Sequence, residues 1–211
     1  MTSAERPLRA DAERNRRAII AAAATVFAQE GTAVTLERIA AAAGVGVGTV
    51  YRRFASVQDL VAVVLEEKMR AYADRTERAA ADAAGQPWEA FRDYVMFLLE
   101  QQAADLAFSD VLLAPRGASD VFQAEKARAF RASVELVGRV REAGAVRAEF
   151  DHSDLLLMQH ANAGLLRGTQ RAAPQAWRRF GEYMLEAFRA EGGALTPPPK
   201  LWTRALRASE A

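Results

Sequence analysis

The sequence predicts an all-α protein of about nine helices, a small N-terminal three-helix bundle followed by a larger C-terminal helical domain. Three observations carry this expectation. Apolar residues recur at three- and four-residue spacing along most of the 211-residue chain. Glycine and proline interrupt that pattern at intervals suited to helices. No stretch alternates apolar and polar residues as a strand would, and no internal repeat is visible. A hydrophobic content of 51% lets a chain of this length bury a substantial core.

The domain boundaries follow from these interruptions: an N-terminal arm over 1–11, a bundle over 12–57, a C-terminal domain over 58–192, and a flexible tail over 193–211. Ala12 to Glu30 reads as the first helix, with Ile19, Ile20, Ala23, Ala24 and Phe27 on one stripe and Gly31 as its stop. Thr35 caps a second helix carrying Leu36, Ile39, Ala40 and Ala43, which ends at Gly44. A third runs over Gly46 to Phe54, with Val47, Val50 and Phe54 inward. Ser56 caps a long helix from Val57 to about Asp82, striped by Leu60, Val61, Val64, Leu65, Met69 and Tyr72. At about 25 residues it spans roughly 38 Å, enough to begin in one domain and end in the other. Pro87 opens a fifth helix at the position where its missing N–H is harmless. Asp105 to Ala114 forms a short sixth, ended by Pro115, Arg116 and Gly117. Ser119 to Ala143 is a seventh, striped by Phe122, Phe130, Val134, Val137 and Val140, and Ala145 to Asp151 suits a loop or a brief extended segment and is read as a loop. Leu155 to Leu166 and Pro174 to Glu191 complete the set.

Gly46 to Phe54 carries the most informative chemistry. It has small residues first, then Thr49, Tyr51, Arg52 and Arg53 opposite an apolar face, following a helix and a tight turn. That pattern suits a helix-turn-helix over about 35–54 whose second helix enters a DNA major groove. Gly46, Val47 and Gly48 permit close approach to base edges and Thr49 offers a hydroxyl and a methyl group. Thr35, Tyr51, Arg52 and Arg53 suit phosphates, and either arginine can instead read a guanine. Arg6, Arg9, Arg14, Arg16 and Arg17 outnumber Asp11 and Glu13 just upstream, so this arm either follows the DNA backbone or is a solvated terminus. The Gly44-x-Gly46-x-Gly48 spacing is no nucleotide loop, because a helix and not a strand precedes it.

The stretch VGVGTVYRRFASVQDLV resembles the signature of the TetR family of bacterial transcriptional regulators at Gly48, Thr49, Val50, Tyr51, Phe54, Ser56, Asp59 and Leu60. Gly46 stands where the family often has serine, and Val57 where it commonly has a phosphate-contacting lysine. The resemblance implies a homodimeric, ligand-responsive DNA-binding protein, most often a repressor, whose fourth helix relays effector binding to DNA release. Its implied partners are a near-palindromic double-stranded operator, a second copy of itself and a small-molecule effector. Arg17 of the arm and Ser56 at the start of the next helix complete the candidate DNA-binding set.

Candidate effector contacts are the aromatic and apolar residues Trp88, Phe91, Tyr94, Val95, Leu98, Phe108, Leu112, Phe130 and Val134, with Gln102, His160 and Asn162 as polar members. The scarcity of charge among them points to a neutral or weakly polar ligand. Leu155 to Leu166 is apolar on every side, so a second subunit is expected to cover part of it. The candidate dimer residues are Leu156, His160, Ala163, Gly164 and Arg167 there, and Trp177, Phe180, Met184 and Phe188 in the last helix, a four-helix contact. His160 fits either role. Zero cysteines exclude disulfides and thiol chemistry, the two histidines lack carboxylates at metal-ligand spacing, and no catalytic constellation is visible. No cofactor, enzyme activity or membrane span is expected, and the compartment expected is the cytoplasm. The alternative reading is a helical small-molecule-binding or interaction protein with a vestigial helix-turn-helix.

Overall fold

The computed structural model describes residues 5–30, 34–114, 119–169 and 172–189, with the side chains of residues 5–12 and of Gln29 outside it. The expected stops at Gly31 and Pro115 to Gly117, the arm side chains Arg6 and Arg9, and the tail over 193–211 therefore lie outside the described residues. Among those described there are nine α-helices and no strand. The chain divides into two compact units, Met1–Lys68 and Met69–Ala211.

In the first unit, α1 spans Glu5–Glu30 and so begins before the expected Ala12. It buries Ile19, Ile20, Ala23 and Val26, while Ala24 and Phe27 are half-buried at the edge of that face. The second helix, α2 (Leu36–Ala43), starts at Thr35, whose Oγ accepts the Arg38 N–H at 3.3 Å. It stops at Gly44, the residue that takes a left-handed φ of 65°, where a β-carbon would be strained. The Val45 N–H then reaches back to the Ala40 carbonyl at 3.1 Å and ties off the end. α3 (Val47–Tyr51) is shorter than expected, because the N–H groups of Arg53 and Phe54 both turn back on the Val50 carbonyl, each at 2.9 Å. Ser56 Oγ accepts the Asp59 N–H at 3.1 Å and opens α4 (Val57–Asp82). Ile19, Ile39, Val50, Phe54, Leu60 and Val64 join one core, each aliphatic side chain contributing about 1.5 to 3 kcal/mol on burial. Because Leu60 and Val64 belong to that core, the unit runs past the expected boundary at 57.

The second unit contains the rest of α4 and five more helices, the last four of which all touch the first of them, α5 (Pro87–Ala104). Asp105 ends α5 and caps α6 (Leu106–Leu113), its Oδ1 accepting the Phe108 N–H at 2.8 Å. Ser119 caps α7 (Asp120–Glu142) through the Phe122 N–H at 3.1 Å, and Gly144 terminates it at φ 67°. A loop carries the chain to α8 (His152–Thr169), and α9 (Ala176–Phe188) closes the unit against α5 and α8. Phe91 of α5, Phe150 of the loop and Phe188 of α9 form an edge-on aromatic cluster, with Phe150 and Phe188 centroids 4.7 Å apart.

Candidate nucleic-acid interface and buried polar core

The outer face of α3 is built by what lies behind it. Val50 and Phe54 anchor one side in the core, so the residues between them must face outward. Tyr51 is 51% exposed, and Arg52 and Arg53 are exposed beside it. Arg52 donates through Nη2 to Thr49 Oγ1 at 3.2 Å, which holds the guanidinium along the helix. The tip is open: a β-carbon on Gly48 would meet nothing within 4 Å, and one on Gly46 only Thr49 Oγ1 at 4.0 Å. Packing within the chain does not require glycine at either position, and both leave room for a close-approaching surface. Val47 is exposed at the same tip.

The remaining DNA-contact candidates divide. Thr35 and Ser56 are at the surface ends of α2 and α4 and serve there as caps. Arg17 is exposed but pairs with Glu13 at 3.2 Å, an i,i+4 bond weak enough to exchange for a phosphate. Two neighbours escape sequence reasoning. Tyr51 donates its hydroxyl hydrogen to Glu37 Oε1 at 2.8 Å, and Arg38 grips Glu30 through Nη2 at 2.6 Å. The Tyr51 bond, more than its own backbone N–H or Thr35, holds the Glu37 carboxyl below its usual range, and the same bond pushes the Tyr51 hydroxyl up. Nothing in the local sequence marks Glu37 as the partner of a tyrosine fourteen residues further on.

In the second unit the polar candidates come together. Gln102 Nε2 donates to Ser109 Oγ at 2.8 Å and to the Gln159 carbonyl at 3.1 Å. A backbone carbonyl only accepts, so Gln102 must present its NH2 there and its Oε1 on the other side, where Asn162 Nδ2 donates at 2.9 Å. Asn162 Oδ1 is then an acceptor with 0% exposure and no partner. A buried polar atom left so costs about 1 to 3 kcal/mol. On α4, Thr76 Oγ1 meets Tyr94 Oη of α5 at 3.4 Å and donates to the Tyr72 carbonyl at 2.8 Å. Burial pushes both tyrosine hydroxyls up.

The other effector candidates separate into two groups. Trp88 and Phe91 belong to the aromatic cluster with Phe150 and Phe188, Arg189 lying over the Trp88 ring at 4.2 Å. Phe108 stacks edge-on with Phe122 and Tyr72, near Gln102 through the α5–α6 junction. Val95 and Leu98 are buried on α5, and Leu112 is half-buried on α6. Phe130 packs against His152 at 4.6 Å. Val134 is corrected: it is 44% exposed, because the inward stripe of α7 runs through Ala129, Ser133, Leu136, Val137 and Val140. His160 is corrected as an inward polar residue too, since α8 turns Gln159 and Asn162 inward and leaves His160 exposed.

The dimer candidates also divide. Gly164 and Arg167 are exposed on α8 with His160, Leu156 is half-buried, and Arg167 bonds to Asp110 of α6. Phe180 and Met184 are half-buried on α9. Ala163 and Trp177 are buried within the unit, and Phe188 packs on Phe91 and Phe150, so these three face the chain's own core. The outward apolar residues are instead Leu157, 42% exposed, and Tyr183, 58% exposed.

Residues 19–64 match the family model for bacterial regulatory proteins of the tetR family, a segment bounded by the first and last members of the N-terminal core, Ile19 and Val64. The fold is similar to that of a TetR transcription regulatory protein from Mycobacterium vanbaalenii, with 29% identity, a TM-score of 0.62, and coverage of 87% of this chain and 100% of that one. This chain has the TetR-family fold. A TetR transcriptional regulator from Streptomyces coelicolor is similar at 28% identity and a TM-score of 0.63, over 84% of this chain and 99% of that one. SmeT, a repressor of the Stenotrophomonas maltophilia multidrug efflux pump SmeDEF, shares the fold in a complex with triclosan at 21% identity and a TM-score of 0.55, over 88% of this chain and 96% of that one. No curated protein matches the chain in sequence.

Within the TetR-type DNA-binding domain the structure explains one departure from the family pattern. Val57, where a lysine is common, is half-buried and packs against the Ile19 to Val64 core. Hydrophobic packing occupies the position that a phosphate contact would use. No helix among the described residues is long and apolar enough to cross a membrane, and no three metal-binding side chains cluster there.

Proposed function

We propose that the protein is a ligand-responsive transcriptional repressor that binds a near-palindromic operator as a homodimer. The outer face of α3 carries this reading: Thr49, Tyr51, Arg52 and Arg53 stand on a closed core beside an open glycine tip. Two-fold symmetry presents two such faces to half-sites about 34 to 36 Å apart. A plain structural hairpin gives no reason for cations and an exposed tyrosine to gather at an unfilled surface.

Regulation follows from a difference in ligand affinity between two conformers. α4 is the candidate relay, since it carries Leu60 and Val64 in the first unit and Tyr72 and Thr76 in the second. Arg128 of α7 grips Asp74 at 2.7 Å and Glu77 at 2.8 Å, and Arg139 donates to the Ala80 carbonyl, so movement of α7 is felt by α4. The effector class best matched to Asn162 Oδ1 is a largely apolar molecule bearing one N–H or O–H donor. The SmeT complex with triclosan supports a small-molecule effector for this fold.

The test is fluorescence anisotropy on DNA flanking the protein's own gene. Arg52→Ala and Tyr51→Ala should weaken binding by about tenfold or more, from contacts worth ~1 to 3 kcal/mol, with the dimer unchanged by light scattering. Equal binding by both variants would remove the reader assignment.

A further inference from the structure

Glu37 introduces a negative charge into the face assigned to DNA, on the first turn of α2 and bonded to Tyr51 of α3. The Gly44 turn holds these two helices in register, so the pairing is built into the motif. A phenol has one hydrogen to donate. With that hydrogen on Glu37 Oε1 at 2.8 Å, Tyr51 cannot also donate to a phosphate oxygen. A duplex that takes the Tyr51 hydrogen for a phosphate must displace the carboxylate, and its phosphates then lie beside a like charge. Arg38, the neighbouring cation on α2, is turned to Glu30 through both Nη2 and Nε and is not paired with Glu37.

We propose that Glu37 is a specificity-determining residue of the reader. On the correct operator the released carboxylate accepts the exposed amino group of a cytosine or adenine in the major groove, while on other sequences it remains an uncompensated anion among phosphates. Non-specific affinity comes almost entirely from phosphate neutralisation, so an unmatched carboxylate lowers that affinity, whereas a matched one recovers the loss. This rests on the DNA-reader assignment above and adds to it the residue that rejects wrong DNA.

The test is selection from a randomised duplex pool with the full-length protein, Glu37→Gln and Glu37→Ala, followed by binding to the enriched duplex and to a scrambled one. Both variants should bind the scrambled duplex about fivefold tighter, the effect of removing one like charge near 4 Å in water. Their ratio of enriched to scrambled affinity should fall by at least that factor, and the Glu37→Ala motif should lose preference at one amino-bearing base. An unchanged ratio with wild-type melting temperatures would overturn the role of Glu37. Failure of the wild type to enrich any motif would instead overturn the DNA-reader assignment.

Discussion

His152 shows how a single hydrogen decides a local state. Ser133 donates its hydroxyl hydrogen to the Phe130 carbonyl at 2.8 Å, so the contact of 2.7 Å between Ser133 Oγ and His152 Nε2 requires the imidazole to donate from Nε2. Burial then pushes the His152 pKa down to about 4 from 6.5, against a smaller opposing pull from Asp151. The unfolded chain takes up a proton below 6.5 that the folded chain refuses until about 4. Stability should thus be full above pH 6.5 and fall through this window, by at most roughly 3 kcal/mol in total. Asp151, itself held below its usual value, loses stability only at lower pH. Urea unfolding from pH 7 to 4 should show this slope in the wild type and a flatter one in His152→Gln. None of this is legible in the sequence, because nothing near His152 along the chain points to Ser133 or Phe130.

Elements were legible wherever a cap or a breaker marked them. Thr35, Ser56, Ser119 and Pro87 open helices as their chemistry requires, and Gly44 and Gly144 close them in the left-handed region. Which way each element turned its apolar residues was harder. Periodicity defines a stripe without naming its partner, so Trp177 and Phe188 read as outward when α5 takes both α8 and α9. The close fit of α9 on α5 is tested at Gly181, where a β-carbon would lie 2.6 Å from Leu99 Cδ1 and 3.0 Å from Met96 Sδ. Leu99 is fully buried and has little room to yield. Gly181→Ala should lower stability by roughly 1 kcal/mol in thermal unfolding, overpacking outweighing the gain in helix propensity. Gly181→Val should cost more.

At the scale of the whole molecule, two observations point beyond one chain: α8 and α9 each present apolar residues outward at Leu157 and Tyr183. Leu157→Glu should leave the subunit folded, as that side chain is already 42% exposed, yet shift sedimentation toward a monomer. Operator affinity should fall with it, since each half-site would be held alone. The expectation of a partner subunit came from reading the Leu155 to Leu166 stretch as apolar on every side, but which residues would meet it could not be read, because only the fold shows which side the chain itself covers. The open tip at Gly46 and Gly48 has a consequence for lineage rather than mechanism. A β-carbon can be added at either position without meeting a packed atom, so descendants of this protein can change the residues at the tip, and with them the target sequence, without repacking the core behind it.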